Sequence, residues 1–414
     1  MEMIDILVIG GGAAGYFGAI TAAQTKPGSR ILLIERSPQP LAKVRISGGG
    51  RCNVTHSCFE PRPLSTRYPR GARALLSAFS RFQPADTVQW FEKRGVSLKT
   101  EADGRMFPTT DRSQTIIECL ENEALTSGVE VRLKCGAEQL RPLSGGGWEV
   151  ILSGPQSGTV RAERILIATG GWRSGTLANF IESLGHEISL PVPSLFTFHL
   201  HEDWVRELSG LAVPMAEVSV PNTSLKEKGP VLFTHWGLSG PAILRLSAWG
   251  ARELHQMDYA FSLRVRWCSD HNEQQILQTF QDIRKSNPAK SVANTPLFQI
   301  PSRLWERLVI SAGIPADERW NRLTRQSSLT LAARLLRTDL RVTGKSMHKD
   351  EFVTCGGISL KDVDFKTMES RICPGLHFAG EILDLDGITG GFNFQAAWTT
   401  GWIAGQAMSL SFNP

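Results

Sequence analysis

No uninterrupted apolar run of about eighteen residues occurs in the chain, so no segment is expected to span a bilayer as a helix. No Cys-x-x-Cys pair occurs either. The seven cysteines, Cys52, Cys58, Cys119, Cys135, Cys268, Cys355 and Cys373, are odd in number and scattered. That pattern points away from a zinc site or a disulfide framework and toward reduced, mostly buried thiols; no metal is expected. There is no repeat of solenoid or propeller length and no low-complexity tract. Met1-Glu2-Met3 offers no basic n-region, and the apolar run behind it ends in glycines rather than at a small-residue cleavage site, so the expected location is cytoplasmic. What remains is an ordinary globular composition over 414 residues, more than one core usually serves, and two or three domains are expected.

The net charge of +5 is modest but unevenly placed. Between Glu60 and Asp86 stand Arg62, Arg67, Arg70, Arg73 and Arg81 with no acid among them. From Arg303 to Lys345, nine basic residues face Glu306, Asp317, Glu318 and Asp339. Composition alone favours two solvated faces; the sharper reading is a basic surface for a polyanion such as RNA. No DNA partner is expected.

The N-terminus carries the first strong motif. Met3–Ile9 is a nearly continuous apolar run, as a buried parallel strand requires. It leads into Gly10-Gly11-Gly12-Ala13-Ala14-Gly15, which satisfies G-x-G-x-x-G; an alanine-rich helix is expected to about Gln24, and a second apolar strand, Arg30–Ile34, ends at Glu35, about 20 residues beyond Gly15. Gly10 permits a tight turn, Gly12 lets the backbone approach a pyrophosphate, and Gly15 allows close helix–strand packing. The helix start at Ala13 and Ala14 presents free N–H groups and positive dipole to phosphates. Glu35, with Arg36 beside it, is expected to accept ribose hydroxyls. A lone G-x-G-x-x-G is weak evidence; strand, glycines, helix, strand and acid in register are strong. The motif does not separate FAD from NAD.

The C-terminal region points to FAD. Leu376–Glu381 reads as a strand ending in Gly380-Glu381, followed by Asp384, Asp386 and Gly387, then Gly390-Gly391-Phe392-Asn393 and an apolar helix to about Met408. A strand ending in Gly-Asp or Gly-Glu near the C-terminus is a second FAD fingerprint, and the glycine pair lets a helix N-terminus face the flavin edge where reduction develops negative charge. Ile165–Ile167 followed by Ala168-Thr169-Gly170-Gly171 is a third piece of the same kind. No second G-x-G-x-x-G with strand context exists; Gly145-Gly146-Gly147 reads as a hairpin loop. A dedicated NAD(P)H domain is therefore not expected, and NAD(P)H as electron donor would visit the flavin transiently.

Lys43–Thr55 is the most unusual stretch. Its consecutive glycines let main-chain N–H groups lie against a ligand. Along it, Lys43, Ser47, Gly48, Gly49, Arg51, Cys52 and Asn53 are expected to line the cofactor. At the other two pieces Thr169 and Gly170, and Gly380, Glu381, Asp386, Gly391, Phe392 and Asn393, are expected to do the same. Asp384 and Asp386 are read as turn-makers hydrogen-bonding the ribityl chain rather than as a metal pair.

The runs Ile46–Thr55 (ISGGGRCNVT), Gly104–Pro108 (GRMFP), Leu232–Pro241 (LFTHWGLSGP) and Thr367 through Asn393 together resemble the BaiN/RdsA-type bacterial NAD(P)/FAD-dependent flavoproteins, also labelled aminoacetone-oxidase-like. The resemblance covers essentially the whole chain. His56 stands where Asn is common in that family, and Phe392 where Tyr is common. The resemblance implies an α/β architecture: a Rossmann-type FAD-binding domain of the two-dinucleotide-binding-domain kind, split by an inserted β-barrel-like part and a small helical part. The expected division is 1–193 for the first part of the FAD domain, 194–271 for the β-rich insertion, 272–345 for the helical subdomain and 346–414 for the second part. Short β-rich runs such as Ala216–Val220 and Phe261–Arg266, then a helical pattern from Asn272 to about Arg341 including Leu329–Leu340, agree with it. Pro191-Val192-Pro193 marks the way out and Gly344–Asp350 the way back.

Three functions are weighed. One is a reductase delivering hydride from NAD(P)H-reduced flavin to an activated C=C bond, in a small enone or in uridine of ribosomal RNA, as names within the family imply. Cys52 is then the candidate acid, Arg51 polarises the carbonyl, and Cys52→Ala is expected to keep FAD but abolish turnover. The second is an amine oxidase of the aminoacetone kind, producing peroxide. The third is a non-catalytic flavin-binding assembly protein. His235, in the inserted part expected to roof the flavin pocket, is either a substrate contact or a histidine hydrogen-bonded into a tight turn. Arg105 either reaches the pocket or follows a turn at Asp103-Gly104. Neither the substrate nor the oligomeric state is legible.

Overall fold

The computed structural model describes residues 2–172, 175–346 and 353–410. Backbone proximity divides the chain into two units, Met1–Ser194 with His348–Pro414, and Leu195–Met347.

In the first unit, Glu2–Ile9 is a central strand; Ile6, Leu7 and Val8 have no exposed surface, which is why the run is apolar on both faces. It pairs in parallel with Ile31–Glu35 on one side and Gly158–Ile167 on the other, and Glu130–Leu133 and Leu376–Phe378 extend the parallel sheet outward. Gly136–Pro142 and Trp148–Ser153 form an antiparallel hairpin that Leu143 and Gly145–Gly147 close, and its second strand pairs with the first half of Gly158–Ile167. A small sheet, Thr55–His56, Arg105–Pro108 and Leu98–Thr100, stands apart.

The helices at the two ends of this unit, Ala13–Thr25 and Phe392–Leu410, pack along each other, and both are buried over nearly their whole circumference. Glycines make the approach possible: a Cβ on Gly401 would lie 2.6 Å from the Ala14 carbonyl oxygen, and one on Gly405 would lie 2.5 Å from that of Gly18. The chain's last helix is thereby pressed against the first nucleotide motif.

In the second unit six antiparallel strands close a barrel in the order Thr197–Leu200, Gly237–Ser239, Lys226–Phe233, Ala212–Ser219, Phe261–Arg266 and Thr338–Ser346. Helices Glu273–Ser286, Ser302–Ser311 and Arg325–Leu336 lie between the last two strands in sequence, so the helical part is inserted within the barrel. This corrects the reading of Leu329–Leu340 as helix. From Thr338 the burial alternates, Thr338, Leu340 and Val342 inward and Asp339, Arg341 and Thr343 outward, and that period of two belongs to a half-buried strand. Of the expected return at Gly344–Asp350, residues 347–350 lie outside the described residues.

Candidate active site

The turns that follow Glu2–Ile9, Gly158–Ile167 and Leu376–Phe378 gather at the C-terminal edge of the parallel sheet, where α/β sheets bind ligands. Backbone hydrogen bonds knit that edge: the N–H groups of Gly10, Ala168 and Ala379 donate to the carbonyls of Ile34 (2.9 Å), Ile9 (2.9 Å) and Ile167 (3.1 Å). Gly10 has φ +113°, and a Cβ there would sit 2.5 Å from the Ala168 oxygen and 2.9 Å from the Thr169 Cα. A Cβ on Gly15 would lie 1.9 Å from the Gly10 oxygen. At Gly12, by contrast, a Cβ would meet nothing within 4 Å, and the same holds at Gly170. The helix that starts at Ala13 has no side-chain cap and no acid in its first turn. The result is an open cradle of backbone N–H groups and positive dipole.

Glu35 closes the turn. Its carboxylate accepts from Gly11 N–H (2.7 Å) and Ser37 N–H (2.8 Å). Arg36, next to it, is exposed. Gly380 lies over the same helix start: its N–H donates to the Thr400 hydroxyl (2.9 Å), and a Cβ there would be 2.9 Å from that of Ala14. Glu381 is held by Lys43 (2.5 Å) and by Thr354 N–H (2.8 Å). Thr354 was not singled out from sequence, since nothing near it marks a partner.

The glycine loop folds around its own backbone. The helical segment Ala42–Gly50 breaks at Ser47, which is extended (φ −61°, ψ 148°), and Gly48, Gly49 and Gly50 follow with φ of 59°, 69° and 83°. Three successive left-handed residues are accessible to glycine alone without strain. The Asn53 carboxamide, turned so that its oxygen accepts from Gly391 N–H (2.9 Å) and its nitrogen donates to the Thr55 carbonyl (3.0 Å), ties this loop to the glycine pair of the C-terminal helix. Gln395, fully buried and unsuspected from sequence, strengthens that tie by accepting from the hydroxyls of Thr55 (2.6 Å) and Thr87 (2.9 Å).

Other expected cofactor contacts are used internally. Asp386 has no exposed surface; Arg70 donates to it through Nε (2.5 Å) and Nη2, and the Ser194 hydroxyl donates at 2.8 Å. Burial raises its pKa while Arg70 pulls the other way. Asn393 closes onto Gly387, accepting from its N–H (2.8 Å) and donating to its carbonyl (2.9 Å). Phe392 is buried, stacked on His56 with ring centroids 4.7 Å apart, and its carbonyl accepts from the Tyr68 hydroxyl (2.6 Å). These side chains hold the loop in shape, and it is the backbone of the loop that they leave for a ligand. His56 and Phe392, the two departures from the family pattern, touch each other. Burial lowers the His56 pKa, which favours the neutral ring.

Arg51 is fixed as a partly exposed charge. It pairs with Glu101 (2.6 Å), approaches Asp111 (3.6 Å), and its guanidinium carbon lies 4.0 Å from the Phe107 ring centroid. Arg105 pairs with the same Glu101 (3.0 Å) and with Asp103 (2.8 Å), so it belongs to this network and to the turn it follows. His235 is in the second unit and exposed. The tight turn there is made by Thr234, whose hydroxyl oxygen accepts from the N–H groups of Trp236 (3.3 Å) and Gly237 (3.1 Å).

A family model described as the HI0933-like protein Rossmann domain matches residues 4–407. The chain belongs to this family. It is 33% identical to the ribosomal RNA dihydrouridine synthase of Escherichia coli over 98% of each chain. It is 27% identical to the 3-dehydro-bile acid delta(4,6)-reductase of Clostridium scindens, over 98% of this chain and 99% of that one. Among solved structures it is similar in fold to the 3-ketosteroid-delta4-(5alpha)-dehydrogenase of Rhodococcus jostii, with a TM-score of 0.54 at 15% identity, covering 99% of this chain and 97% of that one.

The protein is an FAD-dependent oxidoreductase. FAD fits the residues present: the open space at Gly12 and the uncapped helix start suit a pyrophosphate, and Glu35 has lone pairs left for ribose hydroxyls. Cys52 fits its assigned role less well. It has no exposed surface, and burial pushes its thiol up to about 12, with Ser47 pulling the other way. It is protonated at neutral pH, but an acid must touch its substrate. Cys52→Ala is therefore expected to keep both flavin and turnover, within about threefold in kcat, against the hundredfold or larger loss of a true general acid. Steady-state assay of the yellow variant decides it.

Proposed function

We propose that the protein reduces a ring C=C bond conjugated with a carbonyl, that the ring is the uracil of uridine in RNA, and that NAD(P)H supplies the electrons. In balance, one NAD(P)H and one proton are consumed, each former alkene carbon gains a hydrogen, and NAD(P)⁺ leaves. The reading is carried by the 33% identity, spread over 98% of both chains, with a protein named as a ribosomal RNA dihydrouridine synthase. The reaction belongs in the cytoplasm, where ribosomal RNA and reduced nicotinamide meet.

Bound FAD supplies the two-electron chemistry. It would be held by Gly10–Gly15, Glu35, Thr169–Gly170 and Gly380–Glu381 at its nucleotide end, and by Gly48–Asn53 with Gly390–Gly391 at its ring. Arg51, held by Glu101 and the face of Phe107, offers a fixed positive charge to the substrate carbonyl, where negative charge develops as the double bond is reduced. Arg51→Gln is expected to keep its flavin and to lose about 100-fold in kcat/KM, the effect of removing one such donor. Arg51→Lys should recover part of it; unchanged turnover in Arg51→Gln removes Arg51 from the reaction.

The deciding experiment incubates the yellow protein and NADPH with ribosomal RNA, a steroid enone and aminoacetone side by side, reading dihydrouridine by nucleoside mass spectrometry and peroxide by a coupled assay. Dihydrouridine formation is expected. A steroid-like enone is the second reading, favoured by the 27% identity with a bile acid reductase. Peroxide from aminoacetone with no NADPH-driven reduction of either other substrate would overturn both.

A further inference from the structure

We infer that the outward face of residues Pro61–Phe79 is a contact surface for the phosphate backbone of single-stranded RNA, with Arg62, Arg67 and Arg73 as its cations. The inference rests on the reading of RNA as substrate and adds where the polyanion lies.

Five arginines stand between Glu60 and Asp86 without an acid, and the fold sorts them. Arg70 turns inward to Asp386. Arg81 donates to the Lys366 carbonyl and lies over Trp402. Arg62, Arg67 and Arg73 are exposed, and none of them has a carboxylate within ion-pair reach among the described residues. Where an acid stands close by, arginines are neutralised on the spot: Arg132 by Glu2 and Glu130, Arg105 by Asp103 and Glu101, and Arg264 and Arg337 by Asp339. A guanidinium without a local carboxylate keeps its field and its planar donor fork, which match a phosphate group. Three together release counterions when a polyanion binds. A neutral enone has no use for them.

The same segment is fastened to the site. The Arg67 carbonyl accepts from Ile388 N–H (2.9 Å), the Tyr68 hydroxyl donates to the Phe392 carbonyl (2.6 Å), and Arg70 holds Asp386. The charge of Arg67 is felt at His56, whose ring stacks on Phe392. Phe59, exposed just before the segment, offers a ring on which an unpaired base can stack. Cations and aromatic face are thus carried on the piece of backbone that also positions the Gly387–Phe392 loop.

The test uses the FAD-loaded protein and a fluorescein-labelled single-stranded oligoribonucleotide containing uridine, with anisotropy titrations over a range of salt. The variants are Arg62→Gln/Arg67→Gln/Arg73→Gln and, as a control with the same charge removed from the second unit, Arg319→Gln/Arg322→Gln/Arg325→Gln. Each lost phosphate contact on a single strand flattens the log–log salt dependence by about 0.7, so the first triple should flatten it by about 2 and lose at least about tenfold in affinity at low salt. The control should keep both. Single variants, each flattening the slope by about 0.7, carry the same test if the triple lacks the wild-type flavin spectrum or melting temperature. Tight, salt-dependent binding by wild type that the first triple retains, or that both triples lose equally, overturns the surface while leaving the RNA reading standing. Wild-type protein that neither binds nor modifies the RNA overturns both.

Discussion

A Gly12→Val variant is expected to fold like the parent and to come off purification colourless. Gly12 has φ −92° and ψ −171°, a conformation open to any residue, and its Cβ would touch nothing within 4 Å. The fold therefore has no objection to the side chain. The space it fills lies at the uncapped start of the Ala13–Thr25 helix, where the pyrophosphate of the proposed cofactor site would come against backbone N–H groups. Crowding of this kind costs about 1–3 kcal/mol, so FAD affinity should fall about 10- to 100-fold or more. Gly15→Ala is the opposite case. Its Cβ would sit 1.9 Å from the Gly10 carbonyl oxygen, a backbone atom that moves only with the turn itself, and the apoprotein should lose about 3 kcal/mol of stability. Flavin absorbance per chain, FAD titration of the apoprotein and urea unfolding separate the two effects. A yellow Gly12→Val protein with parental FAD affinity would remove Gly12 from the cofactor site.

Arg70→Met should unfold far more easily than the parent. Asp386 has no exposed surface, and Arg70 supplies its only charged partner among the described contacts. Removing one member of a buried pair leaves the other charge in a low dielectric, at a cost of about 3–5 kcal/mol. Arg70→Met/Asp386→Asn should recover much of this, because the amide needs no counter-charge. The gap between the two variants also depends on pH. Burial already raises the Asp386 pKa in the parent, and loss of Arg70 raises it further. A carboxyl whose folded-state pKa is raised binds its proton more tightly when folded. Its destabilisation therefore grows as pH rises from the ordinary carboxylate value of about 4 through the folded value, and vanishes on acidification. Urea midpoints of both variants at neutral and mildly acidic pH should converge on the acid side. A gap that stays constant, or an Arg70→Met protein as stable as the parent, would show that Asp386 does not need its partner.

The parts of this protein that were legible in the sequence are those whose physics is local. Strand, glycine turn, helix and second strand follow one another within Glu2–Glu35, and Gly15 is required by the carbonyl of nearby Gly10, although Gly10 itself is pressed by Ala168 and Thr169, just past a distant strand. Gly145–Gly147 closes a hairpin for the same reason. Leu329–Leu340 reads as a single helix because an apolar helix and the strand that continues it blend into one hydrophobic run. The switch to alternation at Thr338 is dictated by barrel partners at Thr197–Leu200 and Phe261–Arg266, far away in the chain.

The sequence alone therefore determined the Rossmann-type cofactor domain, its glycine turns and the presence of an insertion, because backbone conformation and the absence of a Cβ are written into adjacent residues. Only the tertiary structure decided how the polar and reactive side chains are spent. Arg70 and Asp386 are 316 residues apart, and Tyr68 and the Phe392 carbonyl are 324 apart. Whether a charge is consumed inside or left facing water depends on which distant group the fold brings beside it, as does whether a thiol such as Cys52 is open or sealed. No local pattern encodes that juxtaposition.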